Sequence, residues 1–372
     1  MPVRALARVN LAAIERNCAR LRAGLHDGAA LCAVVKADGY GHGAAASARG
    51  AIAGGATWLA VATAQEAAAL RREGLAARLL VMGALSPEEL SVAVEADADI
   101  VAWREGFVAR LGSLGRPARV HVKLDSGMGR LGTRDPAEAA RVVAALDGAP
   151  GLELVGAMTH FATADEVGDA FFGEQLERFE AWAGPLKRDR PDILVHAANS
   201  AGTLRDPAAH FDLVRCGVAV YGLDPFQGDP ADRDLEPALE LLSYVGDVKS
   251  CAAGESAGYG RRFVAERDTV LGVLPIGYGD GLRRGLTNNA DVLVDGRRCP
   301  LVGTVSMDNV TVDLGPAATS GPGAAATLIG SQGGERITAE EVARRLETIN
   351  YEVTCAISAR VPRLHHRDGE QA

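Results

Sequence analysis

The sequence predicts an α/β protein in two parts: a (β/α)8 barrel over residues 1–235, followed by a mainly β domain over residues 236–372. Three observations carry this expectation. Eight short apolar runs, at 31–35, 58–62, 79–82, 99–102, 119–124, 153–159, 193–197 and 212–215, alternate with helical patterns. The polar residues that interrupt this pattern fall at the carboxyl ends of those runs. From about residue 236 the grammar changes to runs rich in Val, Leu and Thr.

The first helix is read from Leu11, Ile14, Cys18, Leu21 and Leu25, which recur at helical spacing. Thr63 and Glu66 form a capping box, the threonine closing one end of the turn and the glutamate the other. Ser86, Pro87 and Glu89 combine an N-cap, a proline in the first turn and a second box. Asp135, Pro136 and Glu138 repeat that pattern, and Gly148 suits the end of the helix they begin. In the second half, runs at 269–276, 291–294 and 310–314 read as strands, with Asp295-Gly296 as a hairpin turn. One helix is expected from Thr338 to Leu346, with Thr338 and Glu341 at its start. The stretch 315–334 is rich in glycine and proline and reads as loop around one short strand.

Composition narrows the function. The chain has 372 residues, 48% hydrophobic, and a net charge of −9. The acidic balance and the lack of any basic block argue against nucleic acid. No apolar run approaches the roughly 18 residues of a membrane span. Arg4 and Arg8 are not followed by the apolar core of a secretory leader, so a cytoplasmic protein is expected. Six scattered cysteines without a C-x-x-C pair read as reduced thiols, and no metal site is expected.

Residues 34–43 (VVKADGYGHG) carry the most chemistry. An apolar run delivers Lys36 into a glycine-rich loop, where desolvation lowers the pKa of an amine and frees it as a nucleophile or base. Tyr40 offers a hydroxyl four residues on. Barrels of this kind place their active sites at the carboxyl ends of the strands. There the sequence puts Lys36, then Lys123, then His160, then Asn199 and Ser200, and finally Arg215 and Gly217. Loops after the seventh and eighth strands commonly bind phosphate, which points to Ser200, Gly217 and the amide of Val218.

The decapeptide closely resembles the pyridoxal-phosphate attachment site of the alanine racemase family. Seven further segments resemble the same family in order: 121–132 (HVKLDSGMGRLG), 159–165 (THFATAD), 196–200 (HAANS), 214–222 (VRCGVAVYG), 274–281 (LPIGYGDG), 303–308 (GTVSMD) and 350–363 (NYEVTCAISARVPR). Together they span almost the whole chain. The resemblance implies a fold-type III isomerase that interconverts L- and D-alanine, a route to D-alanine for cell-wall precursors. It implies pyridoxal 5'-phosphate on Lys36 as an aldimine, with Tyr40, Ser200, Gly217, Val218 and Tyr351 around the phosphate and Asn199 among the cofactor-binding residues. It puts Arg215 against the pyridine nitrogen, where most enzymes using this cofactor place a carboxylate. A guanidinium only donates hydrogen bonds and stays charged. It leaves that nitrogen unprotonated, which weakens the electron sink and disfavours transamination.

The same resemblance makes Tyr259 the second base, reaching the site from the other subunit of a homodimer and activated by His160. Arg130 and the amide of Met307 are implied to hold the substrate carboxylate. Lys123 resembles a lysine carbamylated in many relatives, and Tyr278 and Tyr351 resemble tyrosines that narrow the entrance around a methyl side chain. Two departures stand out: Ser306 where many relatives have Cys, and Gly258 before Tyr259 where many have Ser. Gly258 puts the positioning of Tyr259 in doubt. A racemase of wider range is a neighbouring reading. A basic amino-acid decarboxylase of similar layout is contradicted by Arg215, and a non-catalytic barrel by the presence of the second domain.

Overall fold

The computed structural model describes residues 4–371, and within them the chain forms two compact units. One comprises Ile14–Tyr40 and Ala44–Val220. The other takes the chain up to Ala13, Gly41–Gly43 and everything from Tyr221 onward. The expected halves met at 235/236, with the amino terminus in the barrel. In the structure strand β1 (Leu6–Asn10) belongs instead to the second unit. Its backbone pairs there with two strands of a large sheet, and those ladders fix its place.

The first unit holds β2 (Ala30–Val34), β3 (Trp58–Val61), β4 (Arg78–Val81), β5 (Asp99–Ala102), β6 (Ala118–Lys123), β7 (Leu152–Met158), β8 (Leu194–His196) and β9 (Leu213–Cys216). Each lies within a residue or two of an apolar run seen in the sequence. All pair in parallel, in the order β8-β7-β6-β5-β4-β3-β2-β9. The edges β8 and β9 are joined by Asp212 N–H donating to Val195 O and Arg215 N–H donating to Ala198 O, each 2.9 Å. These bonds close the sheet into a barrel with helices between successive strands. Both faces of β3 and β5 are buried, which is why these strands read as unbroken apolar runs rather than alternating ones.

Caps explain where several helices begin. Thr63 and Ser86 each accept from the amide three residues on, and Glu66 and Glu89 answer with the reciprocal bond. Asp135 behaves differently from expectation: its carboxylate accepts from Ala137, not from Glu138. The Glu138 carboxylate instead accepts from the Thr133 hydroxyl and pairs with Arg104 at 2.7 Å. A cap is therefore present there, but not a box.

The second unit adds β10 (Leu239–Tyr244), β11 (Asp247–Cys251), β12 (Ser256–Ala257), β13 (Phe263–Val264), β14 (Thr269–Leu274), β15 (Asp291–Val294), β16 (Arg297–Val302), β17 (Val310–Asp313), β18 (Ala325–Gln332), β19 (Glu335–Ile337), β20 (Arg363–Arg367) and β21 (Glu370–Gln371). One sheet runs β11-β14-β17-β16-β15-β18-β10-β1-β20-β21, with β19 paired to β18. Asp295 and Gly296 take φ of 50° and 71°, the turn that the right-handed twist of a two-residue hairpin requires, and link β15 to β16. The helix Ala339–Arg345 follows its Thr338 cap, and a short helix, Asn350–Cys355, comes after it. No helix among the described residues is long and apolar enough to cross a membrane.

Candidate active site

In the barrel unit the candidates gather where β2, β6, β7, β8 and β9 end. Lys36 follows β2 by two residues, and the next four, Ala37 to Tyr40, all have positive φ (52°, 52°, 61° and 54°). Only Gly39 among them adopts this region without penalty. Each of the other three costs about 1–2 kcal/mol. The turn persists because its polar groups are tied: Ala37 N–H donates to Glu66 Oε1 (2.7 Å), Ala44 N–H to Asp38 Oδ1 (2.9 Å) and Gly39 N–H to Val35 O (3.0 Å). Its result is that Lys36 and Tyr40 share one side of the loop, with the ammonium 6.0 Å from the centre of the tyrosine ring.

The loop after β9 meets Tyr40. A Cβ built on Gly217 would lie 2.2 Å from the Tyr40 hydroxyl oxygen, so only glycine allows this approach. Ser200 opens the helix Ser200–Arg205, and Asn199 caps it by accepting from Gly202 N–H at 2.9 Å. Ser200 Oγ accepts from the amides of Gly217 (2.9 Å) and Ala219 (3.3 Å). Two hydroxyls and a glycine loop thus surround the first turn of the 3-10 helix Val218–Tyr221, a donor set suited to a phosphate.

Arg215 is buried in the barrel and held from several sides. Nη2 donates to Thr159 O (2.8 Å) and Ala197 O (2.9 Å) and lies 3.3 Å from His160 Nδ1. Nη1 is 2.7 Å from His196 Nδ1. This last contact fixes a chain of tautomers. Arg215 can only donate, so His196 Nδ1 accepts and its Nε2 carries the proton. His196 Nε2 is 2.8 Å from His121 Nδ1, which must therefore accept, and His121 Nε2–H donates to Asp99 Oδ2 at 3.0 Å. Burial would raise the Asp99 carboxyl, but its bonds to His121, Arg119 and Arg78 draw it down to about 2. Burial, then the charge of Arg215, holds His196 well below its ordinary value, so the chain stays intact at neutral pH.

Lys123 closes β6 with its side chain buried. Burial, followed by Arg215 and Arg130, lowers its amine to about 7, while Asp125 opposes them. His160 is half-buried, and burial with the nearby cations Arg215, Lys123, Arg130 and Lys36 keeps its imidazole neutral. Arg130 is exposed in the loop after β6.

The remaining candidates lie in the second unit. Tyr259 starts a 3-10 turn beside the β12–β13 hairpin and is 73% exposed. Phe263 and Ala257 of that hairpin pack on a buried cluster of Cys251, Ala265, Leu271 and Val302. Thr304 Oγ1 donates to Tyr259 O at 2.7 Å. Gly258 has φ of 74°, and a Cβ there would lie 3.0 Å from Thr304 N, so glycine suits the tight turn that precedes the tyrosine. Tyr278 N–H donates to Ser306 O (3.0 Å) and Gly279 N–H to Met307 O (2.9 Å), which brings Tyr278 and Met307 side by side. Both are exposed. Tyr351 lies on the short helix Asn350–Cys355. There Asn350 is buried, its Nδ2 donating to Asp224 O and Glu340 Oε1, each at 2.8 Å.

The sequence reading passed over Asp99, His121 and His196. A signal existed: His121 and Lys123 are two residues apart in a strand and so share a face, and each interrupts an apolar run. Glu66 was read only as half of a capping box, and nothing in its local pattern pointed to Ala37.

Residues 9–225 match the model of the alanine racemase N-terminal domain and residues 238–365 that of the alanine racemase C-terminal domain. Alanine racemase of Symbiobacterium thermophilum is 44% identical over 366 residues, covering 96% of each chain. Alanine racemase 1 of Bacillus subtilis is 42% identical over 98% of this chain and 93% of its own. Among solved structures, the alanine racemase of D-cycloserine-producing Streptomyces lavendulae superposes with a TM-score of 0.93 at 36% identity, covering 98% of both chains. That of Bacillus anthracis, solved with bound L-Ala-P, gives 0.91 at 38% identity over 99% of this chain and 96% of its own. With both halves matched and identities above 40% over nearly the full length, the chain belongs to the alanine racemase family of isomerases.

Proposed function

We propose that this enzyme interconverts L- and D-alanine, using pyridoxal phosphate held at the mouth of the barrel by residues 1–235, with the second base supplied from residues 236–372. The observation that carries the cofactor reading is the approach of Tyr40 to Gly217, which leaves no room for a Cβ and sets two hydroxyls around a turn of backbone amides. Lys36 would hold the cofactor through its aldehyde carbon. Tyr40, Ser200, Gly217, Val218 and Tyr351 would take its phosphate, and Asn199 caps the helix that Ser200 opens. Arg215 would donate to the pyridine nitrogen and, having no proton to lose near neutral pH, would leave it unprotonated. When bound, the cofactor draws electron density from the substrate α-carbon and makes its proton removable.

Inversion needs a base on each side of that carbon. The Lys36 amine removes or returns the proton on one side and the Tyr259 hydroxyl, from a second copy of the chain, on the other. Tyrosine is a poor base near neutral pH and needs help. His160 accepts from Arg215 on Nδ1, so its Nε2–H is left to donate to the Tyr259 oxygen, which favours the phenolate. A homodimer accounts for a tyrosine that stands 73% exposed on one copy.

Arg130 and the Met307 amide take the substrate carboxylate, and Tyr278 and Tyr351 confine its side chain to about a methyl group. A lysine amine lowered to about 7 is the neutral form that adds carbon dioxide, releasing a proton. Carbamylation of Lys123 then gives an anion that orients Arg130. Acidic charge and scattered cysteines support a cytoplasmic reaction.

The decisive experiment is proton NMR of L-alanine with cofactor-loaded enzyme in deuterium oxide, with chiral analysis of the product. Loss of the α-proton signal with appearance of D-alanine is expected. A yellow protein that neither exchanges nor inverts alanine overturns the proposal.

A further inference from the structure

Glu66 makes one bond too many for a helix cap. Its Oε2 accepts from Ala62 N–H (2.8 Å) and Thr63 N–H (3.1 Å), as a capping box requires, while Oε1 reaches away from the helix to Ala37 N–H at 2.7 Å. Ala37 directly follows Lys36 and begins the run of four residues with positive φ. Three of those four are not glycine, so the run has a strong tendency to relax toward negative φ. The bonds of Asp38 to Ala44 N–H and of Gly39 N–H to Val35 O hold its middle, and the Glu66 carboxylate holds its start. Rotation about the backbone at Ala37 would swing Tyr40 out of its place against Gly217 and turn the Lys36 side chain with it.

We propose that Glu66 is a positioning residue for Lys36: its carboxylate anchors the left-handed turn to the helix Ala64–Arg72 and so aims the amine toward the barrel mouth. The inference rests on the reading of Lys36 as the cofactor-bearing residue and adds the group that orients it. The chemistry demands such an anchor. An amine attacking an aldehyde must be held within a narrow range of distance and angle, and a long flexible side chain on a mobile loop is not. A carboxylate that accepts a backbone N–H makes a stronger tie than a neutral acceptor.

The design of the test follows from the two jobs of Glu66. Thr63→Ala removes the hydroxyl that accepts from Glu66 N–H (3.1 Å), weakening the same cap without touching Ala37. Glu66→Ala removes cap and anchor together. Each cofactor-free variant is mixed with pyridoxal phosphate, whose aldehyde condenses with a lysine amine, losing water to form a C=N bond. Borohydride then supplies hydride and fixes the adduct as a secondary amine for mass spectrometry. The adduct on Lys36 should form on the order of ten-fold more slowly in Glu66→Ala than in the parent, and within about two-fold of the parent in Thr63→Ala. Equal rates in the two variants would overturn the proposal.

Hydrogen exchange of the Ala37 amide in the unmodified protein gives a second reading that does not depend on the variants folding. Strong protection is expected, and exchange at the rate of an open loop overturns the anchor. Should the parent carry its adduct on another lysine, the assignment of Lys36 fails, while Ala37 exchange still decides whether the anchor exists.

Discussion

Mild acid should loosen the barrel, and His196 is the reason. The ring is fully buried, and burial followed by the charge of Arg215 holds its pKa well below the ordinary 6.5. In the unfolded chain the same ring takes up a proton near 6.5. A depressed folded pKa contributes stability that is complete above the unfolded value and is lost as pH falls below it. For His196 the loss therefore starts near pH 6.5. While the folded ring stays neutral, it amounts to RT ln(1 + 10^(6.5 − pH)), about 2 kcal/mol at pH 5. His121, also lowered chiefly by burial, adds to it in the same direction. Asp99, at about 2 against an ordinary 3.8, is depressed too, but its contribution is lost only below about pH 4, so the two windows are separable. All three tryptophans, Trp58, Trp103 and Trp182, lie in the barrel unit, so urea unfolding followed by tryptophan fluorescence reports on that unit alone. The parent should lose stability from pH 7 to pH 5. His196→Gln should start less stable at pH 7, having lost ring contacts and hydrogen bonds, but its decline over that range should be about 2 kcal/mol smaller. Parallel declines in the two proteins would refute the reasoning that a neutral His196 links Arg215 to His121.

Other consequences are as direct. Gly217→Ala should leave the fold intact, because the new methyl meets only the far end of the Tyr40 side chain, but it should weaken pyridoxal-phosphate binding by about ten-fold or more by displacing that hydroxyl. Equilibrium dialysis with unchanged circular dichroism checks both halves. Uptake of 13C-labelled bicarbonate onto Lys123, followed by 13C NMR, should rise as pH climbs through about 7 and vanish in Lys123→Met. Lys36→Ala and Tyr259→Ala subunits, each inactive alone, should recover up to about a quarter of parental activity after mixing and exchange, since half the dimers are then mixed and each has one complete site. No recovery would sink the shared site.

Much of this molecule is written in local pattern. The eight barrel strands are mostly buried, so each announces itself as an apolar run, and the rule that function sits at their carboxyl ends drew attention to Lys36, Lys123, His160, Ser200 and Arg215. Capping boxes at Thr63 and Ser86 were legible because both partners lie within three residues of each other. Hairpin chemistry made Asp295-Gly296 equally plain.

Failures of the local reading share one physical cause: the partner was far away in sequence. Asp135 has the spacing of a box, yet Glu138 pairs with Arg104 of a preceding helix cap, which its own turn does not foreshadow. Residues 6–10, which form strand β1, were counted with the barrel half only because they precede it in the chain. Their membership was decided by hydrogen bonds to β10 and β20, more than two hundred residues on.

The sequence by itself determined the fold class, the family and which side chains are chemically unusual, because each of these depends on residue type and spacing along a short stretch of chain. Tertiary structure alone decided how those side chains are oriented. Closing the barrel lines up Asp99, His121, His196 and Arg215 from four different strands, and their hydrogen-bonding rules leave one arrangement of protons. It also set Glu66 against Ala37, twenty-nine residues away, so that a helix cap became an anchor for the loop that carries Lys36. Direction in a hydrogen bond requires both partners, and only the folded chain supplies the second one.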